Sequence, residues 1–259
     1  MDSRKLIALS VILVVLLSPT AYILYSYHQF SQVIHPGTPK ASERYIVISP
    51  PTTTGIYVFS EGQYRAMLAR GQKPPKGSEI YNVSVDSYIT GSPEVDLNLT
   101  IRSVYDSFTI VLGNPSVKEC TQNPALYMGN CQYRTAAVSE VTAMIANIFK
   151  TNYYIEGLQK GYNNVTAKQY AYNQTWLRFR KVYLTFMTKL SIGRGKLGNQ
   201  NNLAVLLIGP AEGATENRVF TPRRGLLVIE GKSDGALYAE IVLVERLIDF
   251  SWPAGSRGQ

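Results

Sequence analysis

Five carboxylates fall close together late in the chain: Glu212, Glu216, Glu230, Asp234 and Glu240. Any two of them held in range of one substrate could serve as general acid and base in hydrolysis or group transfer. Nothing nearby in the sequence completes such a site. The two histidines, His28 and His35, are remote from these acids, and neither a nucleophile elbow nor a metal-ligand spacing accompanies them. Surface charge, with Asp234 capping a helix, is the expected role of these acids, and no cofactor or metal is expected. Glu212, Glu216 and Asp234 are the catalytic candidates of an alternative reading, a membrane-tethered extracytoplasmic hydrolase or transferase.

Two glycine-bearing loops invite comparison with phosphate cradles. Gly209-Pro210-Ala211-Glu212-Gly213-Ala214 follows an apolar run but lacks the Lys-Ser or Lys-Thr and the prompt helix start of such a loop, so a tight turn is expected. Gly193-Arg194-Gly195-Lys196-Leu197-Gly198 follows a helical pattern instead of a strand and reads as a linker.

Charge is more informative. The chain has 26 basic and 18 acidic residues, a formal +8, and no acid occurs between Glu156 and Glu212. Within that gap Arg178, Arg180, Lys181, Lys189, Arg194 and Lys196 are the candidate contacts for an envelope protein or an anionic polymer, whether glycan, lipid headgroup or nucleic acid. Tyr162, Tyr170 and Tyr172 are interleaved with other cations, Lys160 and Lys168, and could stack on a ligand. A solvated face above an anionic membrane explains the same charges.

The stretch that must position all of this is 6–25, LIALSVILVVLLSPTAYILY, which contains no Asp, Glu, Lys or Arg. At 1.5 Å of rise per residue a helix of this length covers a hydrocarbon core of about 30 Å, so a membrane span is expected. Arg4 and Lys5 precede it and the next formal charge is Lys40, which keeps the N-terminus cytoplasmic and places the body outside the cell membrane. A signal peptide cut near Ala21 is the competing reading. Pro19 and the apolar residues continuing to Tyr25 oppose it.

Exterior placement has two further consequences. Cys120 and Cys131 are expected to pair and close a small loop, and the sequons at Asn82, Asn98, Asn164 and Asn173 are expected glycosylation sites. The expected organisation is a cytoplasmic N-terminus (1–5), a signal anchor (6–25), a polar stalk (26–44), a strand-rich region (45–104), an α/β region (105–252) and a flexible tail (253–259).

Patterning predicts strands at 45–49, 56–60, 80–85, 97–104 and 108–112, with a helix at 61–70. Helices follow at 135–150 and 166–190. The second carries Trp176, Phe179, Tyr183, Phe186 and Leu190 at helical spacing, a stripe expected to face the core. A connection at 191–202, strands at 203–208, 218–221 and 226–230, and a helix at 235–250 complete the pattern. The fold class is α/β, or α+β: an N-terminal transmembrane helix and then an α/β sandwich ectodomain with a strand-rich first half. That half either extends the same sheet or forms a small β domain of its own. The expected function is non-enzymatic: a membrane-anchored, glycosylated, basic ectodomain that binds or scaffolds a partner in the cell envelope.

Overall fold

The computed structural model describes residues 3–51, 55–113 and 130–248, with side chains from residue 18 onward and, in the third stretch, from residue 135. Its elements are α1 (Ser3–Ile34), β1 (Ala41–Ser49), β2 (Tyr57–Ser60), α2 (Glu61–Ala69), β3 (Glu79–Ser87), α3 (Pro93–Ile101) and β4 (Ser107–Leu112). There follow α4 (Asn130–Gln159), α5 (Asn164–Arg178), β5 (Phe179–Tyr183), α6 (Phe186–Gly193), β6 (Asn202–Ile208), β7 (Arg218–Arg223), β8 (Leu226–Glu230) and α7 (Asp234–Ile248).

All eight described strands join one sheet in the order β2-β1-β3-β7-β8-β6-β4-β5. β8, β6, β4 and β5 are parallel to one another, while β1 lies between β2 and β3, antiparallel to both, and β3 joins this group to the rest through the parallel pair β3–β7. The strand-rich first half therefore extends the sheet of the second.

Alternation along each strand divides the apolar residues between the two faces. On β6, Leu203, Val205 and Leu207 join one core while Ala204, Leu206 and Ile208 join the other, so this continuous apolar run is buried on both sides. Helices α3, α4, α5 and α7 cover the first face. The second is covered by α6 and by the C-terminal end of α1 through Phe30, Val33 and Ile34. The result is a mixed α/β structure in three layers.

Three expectations need correction. The predicted strand at 97–104 is helix α3 and its exit: Pro93 stands in the first turn with Glu94 and Asp96, and the helix buries Pro93, Asp96, Leu97, Thr100 and Ile101. The alternation of Leu97, Leu99 and Ile101 imitated a strand. The predicted helix at 166–190 is three elements. Its true helical face is small (Ala167, Ala171, Thr175), Phe179–Tyr183 is the edge strand β5, and Thr185 starts α6 by accepting the Thr188 N–H at 3.3 Å. Trp176, Tyr183 and Phe186 are consequently exposed, and the aromatic stripe is not one core face.

The third correction concerns the N-terminus. Residues 26–34, expected as stalk, are the end of α1, and β1 starts at Ala41. Among the described residues no helix is long and apolar enough to cross a membrane, so the spanning part of the expectation has no structural support. The backbone is helical through 3–34, but most of the apolar run carries side chains outside the described set.

One buried acid organises the turn that returns the chain from β3. Asp96, with no exposed surface, accepts from the Ser87 hydroxyl (2.7 Å), the N–H groups of Tyr88 (3.0 Å), Ile89 (2.9 Å) and Thr90 (2.9 Å), and the Thr90 hydroxyl (2.6 Å). Burial alone would raise its pKa; the bonds from Thr90, Ile89 and Ser87 outweigh it and hold the carboxyl below its ordinary value. A depressed carboxyl lends stability above the ordinary carboxylate range that is lost as pH falls through the folded value. Asp96→Ala is expected to lower urea-unfolding stability by on the order of 3 kcal/mol, whereas Glu94→Ala, an exposed change in the same turn, stays near neutral.

Candidate functional site

The best-defined junction of polar and apolar contacts near the candidate cations is the seam between α1 and the body. Residues 18–25 of α1 are exposed; from Ser26 onward the helix is seated against the body. Gly193, the last residue of α6, makes the seat possible. A Cβ there would lie 2.7 Å from the Ser26 carbonyl oxygen and 2.9 Å from the Phe30 nitrogen, so only glycine permits this approach.

Polar contacts lock the seam along its length. Ser26 is buried; its hydroxyl donates to the Tyr22 carbonyl at 2.7 Å and accepts Arg194 Nε at 3.1 Å. The Arg194 guanidinium stands 3.8 Å from the Tyr22 ring centre, and Lys189 Nζ lies 5.4 Å and 5.7 Å from those of Tyr27 and Phe30. These are cation–π contacts. At the far end Arg218 donates to the Ile34 carbonyl at 2.9 Å, setting a cation at the negative end of the helix, and to Glu230 at 2.7 Å. Arg223 holds the loop after α6 through the carbonyls of Ile192, Leu197 (3.0 Å) and Gly198 (2.9 Å).

The six candidate cations do not form one surface. Arg178 is half-buried, bonded to Gln174 and set 4.9 Å from the Tyr153 ring, so its role is packing. Arg180 and Lys181 are adjacent on β5 and point to opposite faces; Arg180 donates to the carbonyls of Leu177 (2.8 Å) and Phe179 (2.9 Å). Lys181 lines a groove of about 420 Å³ between α4 and the edge strand β5, with Thr142, Ala146, Lys150, Trp176 and Phe179. Arg180 shares the sheet face of Val182, the one that α1 and α6 cover, and Lys189, Arg194 and Lys196 belong to α6 and the loop after it. Of the three tyrosines, Tyr170 is engaged by Glu156 and Lys160, and Tyr172 by Lys150 and Trp176.

Nor do the candidate carboxylates share a described cavity. Glu212 closes the 3-10 turn Pro210–Glu212: one oxygen accepts the Gly209 N–H at 2.7 Å, and its side chain fills the space above Gly113 at the end of β4. Glu216 is exposed, 3.8 Å from Arg218, in an open groove with Arg44, Asn82 and Lys232 that includes neither Glu212 nor Asp234. Asp234 is in the first turn of α7, whose cap is Ser233: the Ser233 hydroxyl accepts the Ala236 N–H at 3.0 Å. Among the described residues no group of His, Cys, Asp and Glu is placed to hold a metal ion.

No protein family, curated protein or solved structure matches this chain. Function must be argued from geometry alone. Three of the four sequon asparagines, Asn82, Asn164 and Asn173, are exposed, and Asn98 is half-buried on α3. Cys120 and the Cys131 side chain lie outside the described residues, as does the tail.

Gly193, Arg218, Arg223 and Ser26 were not legible as site residues, because nothing in their sequence neighbourhoods distinguishes a seam residue from a loop residue. The burial of acids was equally hidden: Glu230 and Glu240, expected as surface charge, are in the interior. Glu240 has no exposed surface and neither carboxylate oxygen has a hydrogen-bond partner; burial, then the Glu230 charge, push its pKa well above the ordinary value. Burial, then the charge and hydrogen bond of Glu140 on α4, push Glu245 up to about 7.

Because the folded chain holds these protons more tightly than the unfolded one, their contribution is complete below the ordinary carboxyl range. For Glu245 it is lost as the pH rises through about 7. The melting temperature is expected to fall between about pH 5 and about pH 8, and Glu245→Gln to flatten that slope by on the order of 1 kcal/mol, allowing for solvent screening. A melting temperature that rises over this interval contradicts the assignment.

Proposed function

We propose that this is a single-pass, membrane-anchored extracytoplasmic protein whose basic α/β ectodomain binds or scaffolds a partner in the cell envelope, with its anchor helix built into the fold. The observation that carries the reading is where α1 leaves the body. The seat begins at Ser26 and the apolar run ends at Tyr25. Tyr22 is 54% exposed, Leu24 65% and Tyr25 61%, so this end of the run is largely open, with Arg194 stacked on Tyr22. An apolar run of bilayer length whose described end, 18–25, is exposed, and which Arg4 and Lys5 precede, is supplied with cover by lipid.

A binding role is favoured over an enzymatic one by the commitments of the acids: Glu212 closes a turn, Glu230 neutralises Arg218, and Glu216 and Asp234 occupy separate surroundings. The surplus of cations gives the body an affinity for acidic partners.

Alkaline carbonate extraction of membranes carrying the full chain, with protease added to intact cells, tests the reading. The chain is expected to stay in the membrane pellet, the body to be digested from outside, and a glycosidase to shift its mobility. A chain released by carbonate, or a body protected in intact cells, overturns it.

A further inference from the structure

The Arg194–Gly198 loop satisfies the expectation of neither a phosphate cradle nor a free linker. Its backbone N–H groups are spent internally: Arg194 on the Leu190 carbonyl (3.0 Å), Gly195 on Ile192 (3.0 Å), Lys196 and Leu197 on Ser191 (2.9 and 3.2 Å), and Gly198 on the Asn202 side chain (3.3 Å). What the loop offers a ligand is side chains. Lys196 is exposed, and Arg194 is carried beside α1 by its stack on Tyr22.

The contacts give the direction of α6 along α1. Lys189 meets Tyr27 and Phe30, Gly193 meets Ser26 and Phe30, and Arg194 meets Tyr22, so α6 runs toward the end of α1 that leaves the body. Tyr22 lies within the apolar run, three residues before its end, which is about 4.5 Å along a helix. With 6–25 in the bilayer, Arg194 is level with the lipid headgroups. Arg194 stacks on Tyr22, and Tyr22, Tyr25 and Tyr27 on this stretch of α1 are all exposed, the residue type of an interfacial aromatic belt. Helix α6 and its loop lie in the stretch between Glu156 and Glu212 that contains no acid, so their own charges are all positive.

We infer that Arg194 and Lys196 form a headgroup-binding face that docks the body onto anionic phospholipid, fixing its height and rotation at the membrane. The inference rests on the membrane span proposed above and adds the ligand, the phosphate of an anionic lipid, to that reading. Each cation near an anionic surface strengthens attachment on the order of fivefold.

The test uses the full chain in vesicles of phosphatidylcholine, with and without phosphatidylglycerol, and follows tryptic cleavage after Arg194 and Lys196. Arg70 and Lys76, exposed on the far loop after α2, are internal controls. Phosphatidylglycerol is expected to slow cleavage after Arg194 and Lys196 roughly fivefold or more, to leave Arg70 and Lys76 unchanged, and to lose most of its effect at Arg194 in Lys196→Glu. Equal rates in the two vesicle types overturn the docking face, as does equal slowing by inorganic phosphate alone. Carbonate extraction of the same vesicles separates the two claims. A resistant chain with equal rates removes the docking face and leaves the span; an extracted chain that keeps its lipid-dependent protection removes the span and leaves the docking face.

Discussion

The structure depends on the approach of α1 to α6 across Gly193. The second face of the sheet presents Val111, Ala204, Leu206, Phe220, Leu226 and Val228, and among the described helices only α6 and the end of α1 join them in that core. Helix α6 has eight residues, too few to cover this surface alone. Phe30, Val33 and Ile34 complete it, each buried side chain contributing about 1.5–3 kcal/mol of transfer free energy when fully removed from water. The tightness of the seam follows from the absence of a side chain at Gly193, and its angle from Arg218 and Arg194 holding α1 at two levels.

This makes the N-terminal helix a layer of the domain as well as its proposed anchor. A flexible stalk would let a binding surface sample many orientations above a membrane. A helix locked at Ser26, Phe30 and Ile34 presents the sheet in one. Between Ile34 and β1 the chain is short and tied down, with the Lys40 N–H on the Ser87 carbonyl at 2.8 Å and its Nζ on Ile89 at 2.6 Å. The Arg218–Glu230 pair is nearly buried, and removing one partner would strand the other's charge, so the lock at Ile34 and the integrity of β7 and β8 are coupled.

Much of the sheet was legible because its inner strands are apolar on both faces. Residues 108–112, 203–208 and 226–230 read as apolar strands and are β4, β6 and β8. Patterns with two meanings were not legible. Leu97-Asn98-Leu99-Thr100-Ile101 alternates as a strand does, yet the preceding Ser92-Pro93-Glu94 starts a helix and Asp96 gathers the turn's N–H groups. Trp176 to Leu190 repeats at helical spacing, yet β-branched and aromatic residues at 179–183 favour an edge strand beside β4. The candidate acids and cations were assigned by proximity in sequence, and tertiary structure disperses them: Arg180 and Lys181 are neighbours in the chain and face opposite sides of the sheet. The seam was invisible for the reverse reason, since Ser26, Gly193, Arg218 and Arg223 are brought together only by the fold.

Amide hydrogen exchange of residues 26–34 in the full chain, held in lipid, tests the central claim that α1 is part of the folded body. The account predicts exchange there as slow as in β6, governed by opening of the domain. Exchange as fast as in the exposed loop at 72–77 would contradict it and make the helix a tether.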